Sequence, residues 1–397
     1  MKKKVARVVQ RYGKEVTGGA ELEARLYAER LTTHYDVTVY TTCAIDYQTW
    51  KNEYPEGEEI LNDVRIVRFP NDCERNIEEF SKINAEICEK TEKGEEISRE
   101  LQEEWLIKQG PYCPKLIEAI ESHKDEFDTF LFMTFLYYTQ FYGTLAVPEK
   151  AVLIPTAHDD VYLRIPIFRD LFRAPKALLF NSPSERDLVH KVFENDSIPD
   201  ALGGCGVGVP DEIDFLGFRE RHELPAKYAV YVGRVDIDKG CGEMIEYIRR
   251  YNQYRKSQNK SIIPLVMVGN NAMGIEPSED VYPLGFVSEN DKYAAMKESI
   301  LLIMPSRHES LSIVVLEAFA LNRPVLVTSY CDTLKDHCIY SDGGFYYSDF
   351  EEFLKCMDFF LRHPVQRAQM GRNGEYYCHC NYSWDDIMRR IERLIEL

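Results

Sequence analysis

Pro305-Ser306-Arg307-His308-Glu309-Ser310-Leu311-Ser312-Ile313-Val314-Val315-Leu316-Glu317 is the stretch that decides the fold prediction. The apolar run 300–304 before it is typical of a buried parallel strand leaving the core. The run 313–320 predicts a helix. Glu309 is therefore expected in the loop at the strand's carboxyl end, and Glu317 about one turn into the helix. Open α/β sheets bind ligands at that edge, so both carboxylates are candidate site residues.

Runs typical of strands alternate with runs typical of helices along most of the chain. Strands are predicted at 5–9, 37–41, 64–69, 127–135, 151–155, 176–181, 228–232, 263–268, 300–304 and 324–328. Helices are predicted at 20–32, 116–122, 244–258, 291–298, 313–321, 350–363 and after Ser182-Pro183-Ser184. The acidic segment 72–105 is predicted to be helical with a solvated face. This alternation predicts parallel sheets flanked by helices, an α/β fold class.

The length of 397 residues predicts two domains of ordinary size. The clearest linker is the glycine-rich stretch 201–210, with one strand–helix series on each side. We therefore predict two Rossmann-like domains facing each other across a cleft. The first covers residues 1–205 and the second covers residues 206–383. The final run, 384–397, is amphipathic, and periodicity alone does not place it.

Composition narrows the possible partners and compartments. The net charge of −18 and the lack of a basic stripe argue against nucleic acid and weaken docking on anionic membranes. No run reaches the ~18 apolar residues of a spanning helix, and the interrupted run after Met1-Lys2-Lys3-Lys4 favours a strand over a signal peptide. Eleven irregularly spaced cysteines are typical of reduced thiols in a cytoplasmic protein. Cys378-His379-Cys380 lacks a partner pair, so no metal site is predicted.

A glycine-rich loop in the first domain is a candidate anion site. Residues 11–17 connect the first strand to a helix that opens with Gly18-Gly19-Ala20-Glu21. Glycine lets the backbone approach a ligand closely, and a helix start offers free N–H groups. The pattern is neither Gly-x-Gly-x-x-Gly nor a Walker motif. The alternative interpretation is a loop whose glycines serve only to turn the chain.

Two more strand ends carry candidate side chains. Arg234 and Lys239 follow the strand that ends at Gly233, where two cations suit a diphosphate. The alternative is an ordinary charged surface loop. His158 follows the strand 151–155 and is placed to donate to a sugar hydroxyl or a negative charge. Taken alone, however, this residue is better interpreted as a structural histidine. Metal binding by His158-Asp159-Asp160 is disfavoured, because sequence neighbours rarely converge on one ion.

Together these motifs resemble those of the retaining GT-B glycosyltransferases, in particular glycosyltransferase family 4. The resemblance covers most of the chain, is strongest over 228–330, and is weakest over 70–125, where such enzymes meet different acceptors. The matching pieces are Gly18-Gly19-Ala20-Glu21, His158, Gly233-Arg234, Lys239-Gly240, Val268-Gly269, Leu284-Gly285 and Pro305 to Glu317.

The resemblance implies a role for each matching residue. Arg234 and Lys239 would hold the nucleotide diphosphate in place of a metal, so no cofactor is expected besides the donor. Glu317 would accept hydrogen bonds from the ribose, and Glu309 would contact the transferred sugar. Further donor contacts would come from Gly18, Gly19, Gly269 and the N–H groups of Leu311, Ser312 and Ile313. His158 would reach the sugar from the opposite domain, and the helix at 384–397 would cross back onto the first domain.

One departure concerns Ser310-Leu311-Ser312, where the family usually has Gly-Phe-Gly or Pro-Phe-Gly. Serine keeps the N–H donor, so an anion contact remains available. Serine also adds a side chain where the backbone passes the donor, which predicts an altered donor preference. The diphosphate assignment depends little on this turn, whereas the sugar contact of Glu309 depends on it more.

The resemblance implies transfer of a hexose from a UDP-, GDP- or ADP-sugar to a sugar, lipid-linked or protein-linked acceptor in glycan or polysaccharide biosynthesis. The resemblance also implies retention of the anomeric configuration. Because no nucleophile stands out in the sequence, same-face attack is favoured as the route to retention. Tyr137, Tyr138, Phe141 and Tyr142 are candidates either for stacking on an acceptor or for the core.

Three alternatives stay open. A catalytically silent partner or chaperone subunit would usually lack one of the cations or glutamates. An oxidoreductase would need a dinucleotide fingerprint after a strand, and the nearest candidate, 204–208, lies in the linker. No motif selects an epimerase or a phosphorylase.

Overall fold

The computed structural model describes residues 2–16, 18–210, 212–214 and 217–397. The chain forms two compact units, Met1–Gly204 with Asp385–Leu397, and Cys205–Trp384. These boundaries lie one residue from those predicted from the sequence. Thr17, the last residue of the predicted glycine-rich loop, lies outside the described residues.

The first unit is built on an eight-stranded sheet in the order β3-β4-β2-β1-β5-β6-β7-β8. Its strands are β1 (Lys4–Val8), β2 (Asp36–Thr42), β3 (Gly57–Leu61), β4 (Val64–Phe69), β5 (Thr129–Met133), β6 (Ala151–Ile154), β7 (Ala177–Phe180) and β8 (Asp200–Leu202). All pairs are parallel except β3 with β4. The sequence prediction missed β3, because this exposed edge strand carries two glutamates and no apolar run.

Helices pack on both faces of this sheet. They are α1 (Gly19–Leu31), α2 (Ile77–Lys93), α3 (Arg99–Gln109), α4 (Pro114–His123), α5 (Tyr138–Ala146), α6 (Phe168–Arg173) and α7 (Pro183–Phe193). The acidic segment is α2 and α3, capped by Asn76 and Ser98 and separated by a left-handed Gly94. Ile87 and Trp105 anchor the two helices in the core, while most of their acidic residues face solvent.

The second unit has a six-stranded, all-parallel sheet in the order β11-β10-β9-β12-β13-β14. Its strands are β9 (Ala229–Val232), β10 (Leu265–Val268), β11 (Val281–Gly285), β12 (Leu302–Met304), β13 (Val325–Thr328) and β14 (Gly344–Tyr347). Its helices are α8 (Phe218–Arg221), α9 (Cys241–Ser257), α10 (Glu289–Glu298), α11 (Ile313–Ala320), α12 (Asp332–Ser341), α13 (Phe350–Arg362) and α14 (Pro364–Asn381). The prediction missed both edge strands, β11 and β14, and the helices α12 and α14.

The final helix, α15 (Trp384–Ile395), packs on the first unit. Thr129 Oγ1 donates to Ile395 O at 3.2 Å, and Arg390 Nη1 donates to Leu202 O at 3.0 Å. Its apolar face, which includes Ile387 and Ile391, is buried. The chain therefore returns to the first unit after it completes the second. No helix among the described residues is both long and apolar enough to span a bilayer.

Candidate functional site

Three neighbouring strands of the second unit end at the same edge of its sheet. In the sheet, β9 lies between β10 and β12, and the three strands are followed by Gly233, Gly269 and Pro305. Because the strands are parallel, the loops that follow them lie side by side at the carboxyl edge. This is the edge that the sequence predicts to bind a ligand.

The first two loops are tied together through their backbones. Gly233 N donates to Val268 O at 2.9 Å, and Val235 N donates to Asn270 O at 2.8 Å. Gly269 has a φ of +130°, and a Cβ at this position would lie 2.1 Å from Gly233 O. Any other residue at position 269 would push the loops apart, so this glycine serves loop packing whether or not it also contacts a ligand.

Lys239 and Glu309 form an ion pair across the first and third loops. Lys239 Nζ lies 2.7 Å from Glu309 Oε1, with side-chain exposures of 33% and 16%. A partly exposed pair of this kind adds little to stability. Its consequence is positional, because each side chain holds the other's charged group at the sheet edge. The sequence resemblance implies separate ligand contacts for the two residues, and their pairing was not predicted.

Glu317 is held by two side chains that the sequence analysis did not select. Lys292 Nζ lies 2.8 Å from Glu317 Oε1, and Tyr293 OH donates to the same oxygen at 3.0 Å. Burial, together with the Glu317 charge, raises the pKa of Tyr293 above its usual range, so its hydroxyl stays a donor. Both contacts end on Oε1, and no partner of Oε2 is seen among the described residues.

Arg234 lies at the start of the loop after β9. Its Nε lies 3.0 Å from Asp236 Oδ2, and its carbonyl accepts a hydrogen bond from Tyr231 OH at 2.7 Å. Tyr231 is buried. The backbone of Arg234 is therefore fixed, while its side chain is one-third exposed.

The turn that leads into α11 has an unusual backbone. Ser312 adopts φ 61° and ψ 73°, the left-handed region that glycine enters without strain. A glycine at this position, as the sequence resemblance implies, would adopt this conformation without strain. Ser312 makes no side-chain capping bond to α11 within the described residues. Val315 N donates to Ser312 O at 3.0 Å, whereas the N–H groups of Ile313 and Val314 have no backbone acceptor among the described residues and depend on solvent or a ligand.

His337 supports this turn from α12. Its Nε2 lies 2.7 Å from Leu311 O, and its Nδ1 lies 3.1 Å from Tyr377 OH. Burial lowers the pKa of His337 to about 4, so the ring is neutral near pH 7 and its Nε2–H donates to the carbonyl. No local pattern in the sequence pointed to this histidine, which is contributed by a helix that the prediction missed.

The glycine-rich helix start of the first unit is arranged differently. Glu21 folds back over it, and a Cβ on Gly18 would lie 2.2 Å from Glu21 Oε2. Glu21 Oε1 accepts from Gln10 Nε2 at 2.9 Å and from Arg11 Nη2 at 2.6 Å. A cavity of about 240 Å³ lies beside Gly18 and Glu21, and Gly19 borders open space. The chain's own carboxylate thus lies where the sequence predicts an anion.

His158 lies in the loop after β6 of the first unit. Its Nε2 is 3.0 Å from Asp160 Oδ2, and the side chain is one-third exposed. The loop is anchored by the buried Glu185, which accepts from Ala157 N at 2.5 Å and from Asn181 N at 2.6 Å. Within the described ranges, no three His, Cys, Asp or Glu side chains converge as a metal site would require.

The four aromatic residues considered for acceptor stacking separate in the structure. Phe141 is fully buried in the core of the first unit, which corrects its candidacy for ligand contact. Tyr137, Tyr138 and Tyr142 are partly exposed. Tyr138 and Tyr142 lie with ring centroids 4.6 Å apart.

Whole-chain comparison with solved structures decides the fold. Sucrose-phosphate synthase from Thermosynechococcus elongatus superposes with a TM-score of 0.72, covering 100% of this chain and 98% of that one at 16% identity. Anabaena HepE in complex with UDP and glucose gives a TM-score of 0.68, covers 100% of both chains and is 15% identical. The chain has the GT-B fold.

Sequence comparison connects the second unit of this GT-B chain to one family. Residues 212–377, which include Arg234, Lys239, Glu309 and Glu317, match the family model "Glycosyl transferases group 1". A "Glycosyltransferase 1 domain-containing protein 1" from Xenopus tropicalis is 27% identical over 113 residues, which are 28% of this chain and 32% of the relative. The family model covers less than half of the chain and therefore describes the second unit, whereas the likeness to solved structures extends over the whole chain.

Proposed function

We propose that the protein transfers a hexose from a nucleoside diphosphate sugar to an acceptor hydroxyl. The observation that carries the proposal is the pair of glutamate–lysine contacts, Lys239–Glu309 and Lys292–Glu317, at the carboxyl edge of the second unit's sheet. They lie within the segment that matches the group 1 glycosyltransferases. We infer that this edge is the donor site and that the first unit binds the acceptor.

The charges at this edge suit a nucleotide diphosphate as leaving group. Breaking the anomeric C–O bond develops negative charge on the phosphate, and preorganised donors aimed at that charge lower the barrier. We assign this role to Arg234, Lys239 and the open N–H groups at the start of α11, without a metal. Glu309 would orient Lys239 from one side while its other oxygen accepts from hydroxyls of the sugar.

Glu317 would bind the ribose of the donor. Lys292 and Tyr293 fix its Oε1 and leave Oε2 for a hydroxyl pair. Lys292 also places its ammonium group 2.8 Å from this buried carboxylate, which holds the side chain in position. A ribose contact is similar in the ground and transition states, so it contributes to donor affinity more than to the chemical step.

A UDP-sugar is the first donor to test. HepE, which shares the fold, is described in complexes with UDP and with UDP-glucose. GDP- and ADP-sugars are the alternatives, because a ribose contact does not discriminate between bases. We further propose a retaining outcome by same-face attack, in which the departing phosphate accepts the acceptor's proton, within cytoplasmic glycan biosynthesis. His158 is a candidate sugar contact.

A thermal-shift screen with nucleotides and nucleotide sugars tests the proposal. A ligand present at 100 times its Kd adds about 2.7 kcal/mol to the free energy of unfolding. We expect a shift with one nucleotide and its sugars, followed by turnover with that donor. Binding without transfer or hydrolysis for every donor would instead favour a catalytically silent subunit.

A further inference from the structure

A second cavity in the second unit lies at the opposite edge of the sheet. It measures about 230 Å³ and is bordered by Ile300, just before β12, and by Asn322 and Arg323, just before β13. The candidate donor loops follow the carboxyl ends of the strands. At about 3.3 Å per residue, 300 and 306 lie roughly 20 Å apart. The cavity is therefore separate from the proposed donor site.

Three arginines line this cavity without a carboxylate partner among the described residues. Arg323 Nη1 donates to Ser299 O at 3.3 Å, and Arg367 Nη1 donates to Phe360 O at 2.9 Å. Arg372 donates to the amide oxygen of Gln369. Nearby Glu298 is paired with Arg219 at 2.7 Å. The cavity thus has a positively charged lining, although the net charge of the chain is −18.

Arg323 has an unsatisfied hydrogen-bond donor. Its Nε is buried and has no hydrogen-bond partner within the described part of the chain. Burial, followed by the charge of Arg367, lowers the pKa of Arg323, so the two guanidinium groups repel each other. Buried donors in folded proteins are normally satisfied, and an anion between these groups would satisfy them and remove the repulsion.

Helix α14 adds a second source of positive potential. It begins at Pro364 beside the cavity, runs for 18 residues, and has no side-chain cap at its start among the described residues. Its first N–H groups and dipole therefore favour an anion. A Cβ on Gly371 would lie 2.3 Å from Asn322 O, so α14 packs directly on the turn before β13. This close approach holds α14 against the turn that carries Asn322 and Arg323.

We propose that this cavity binds a small phosphate-bearing anion, either inorganic phosphate or a phosphate monoester. Guanidinium groups bind phosphate oxygens bidentately, and three arginines line this cavity beside a helix start. Pockets for drug-sized ligands measure about 300–1,000 Å³, so a 230 Å³ cavity suits a phosphate group with a small substituent. The site goes beyond the proposed transfer reaction and does not depend on it.

Calorimetric titration with inorganic phosphate tests the site in the full-length protein. We expect saturable binding that weakens by about tenfold or more, or about 1.4 kcal/mol, in Arg323→Gln/Arg367→Gln. Arg362→Gln is the matched control, because Arg362 lies on neighbouring α13 and is paired with Asp358 at 2.7 Å. It removes one nearby guanidinium and should retain the wild-type affinity.

Two further variants keep the test decisive. Lys239→Ala should leave phosphate binding at this cavity unchanged, so loss of all binding in that variant would assign the phosphate to the donor site and overturn the proposal. Arg372→Gln changes an exposed residue, so this variant should fold and should bind phosphate more weakly than the wild type. It therefore tests the site even if the double variant does not fold. Unchanged binding in Arg372→Gln and in a folded double variant would also overturn it. Tighter binding of a hexose phosphate than of phosphate would identify a monoester as the ligand.

Discussion

The helix starts of α1 and α11 have the same local architecture, but their glutamates make different contacts. Each follows a parallel strand and a short loop, and each has a glutamate close to the first turn. At α1, Glu21 folds over the helix start and is neutralised by Arg11, with exposures of 8% and 7%. At α11, Glu309 and Glu317 are drawn towards Lys239 and Lys292, and the helix start keeps open N–H groups. A strand–loop–helix element can therefore be closed by its own chain or left open for a ligand.

The largest expected effect concerns the closed helix start. Arg11→Ala should lower the free energy of unfolding by about 3–5 kcal/mol, because it leaves the buried Glu21 carboxylate without its cation. Urea denaturation provides the measurement. Arg11→Ala/Glu21→Gln, which removes both charges, should recover part of the loss. A loss below about 1 kcal/mol in the single variant would mean that this helix start is not closed as described.

His337, which holds the turn before α11, should make the free energy of unfolding depend on pH. His337 has a folded-state pKa of about 4 against an ordinary value of 6.5, so between these values the unfolded chain binds more protons. Its contribution is full above pH 6.5 and falls by about 3 kcal/mol as the pH drops to 4. The difference in unfolding free energy between the wild type and His337→Gln should therefore shrink from pH 7 to pH 4.5. A difference that does not vary with pH would contradict the buried neutral ring.

Substitution of Lys292, which contacts Glu317, should change donor affinity and leave turnover nearly unchanged. Lys292→Met should raise the donor KM by about tenfold with little change in kcat, because the misplaced carboxylate costs similar binding in the ground and transition states. Lys292→Arg should restore most of the affinity. Steady-state kinetics with varied donor provide the measurement. A fall in kcat at unchanged KM would assign Lys292 to the chemical step instead.

The smallest expected effect concerns the strained turn. Ser312→Gly should stabilise the protein by up to about 1 kcal/mol, because glycine removes the cost of the left-handed conformation at the expense of some chain entropy. Ser310→Gly is the matched control, since Ser310 is outside the positive-φ set of the described residues and should gain nothing. Thermal unfolding compares the two variants. Equal shifts would exclude backbone strain as the cause.

The sequence predicted those features that depend on local pattern. Helix α11 was predicted at 313–321 and spans Ile313–Ala320, and Glu309 and Glu317 lie where strand, loop and helix place them. Edge strands such as β3 and β14 were missed because they are short or half-exposed, and therefore lack the apolar run of a central strand.

The partners of the site residues were not predictable in the same way. Lys292 and His337 reach the site from helices α10 and α12, more than 20 positions from the side chain or carbonyl that each contacts. Such a pairing depends on how helices pack on the sheet, which no local periodicity encodes. The position of Glu21 over the N-terminus of α1 was not predicted for another reason. Glutamate is common in the first turn of helices, so its presence there does not indicate that it covers the helix start.

The most direct test of the donor assignment is the kcat/KM of Lys239→Ala with the donor that the binding screen selects. Lys239 is one-third exposed, so its removal should leave the fold and the unfolding midpoint nearly unchanged. The loss of a charge aimed at the leaving phosphate should lower kcat/KM by about 10²–10³, or about 3–4 kcal/mol. Unchanged kcat/KM in a folded Lys239→Ala protein would contradict the placement of the donor diphosphate at this edge of the second unit.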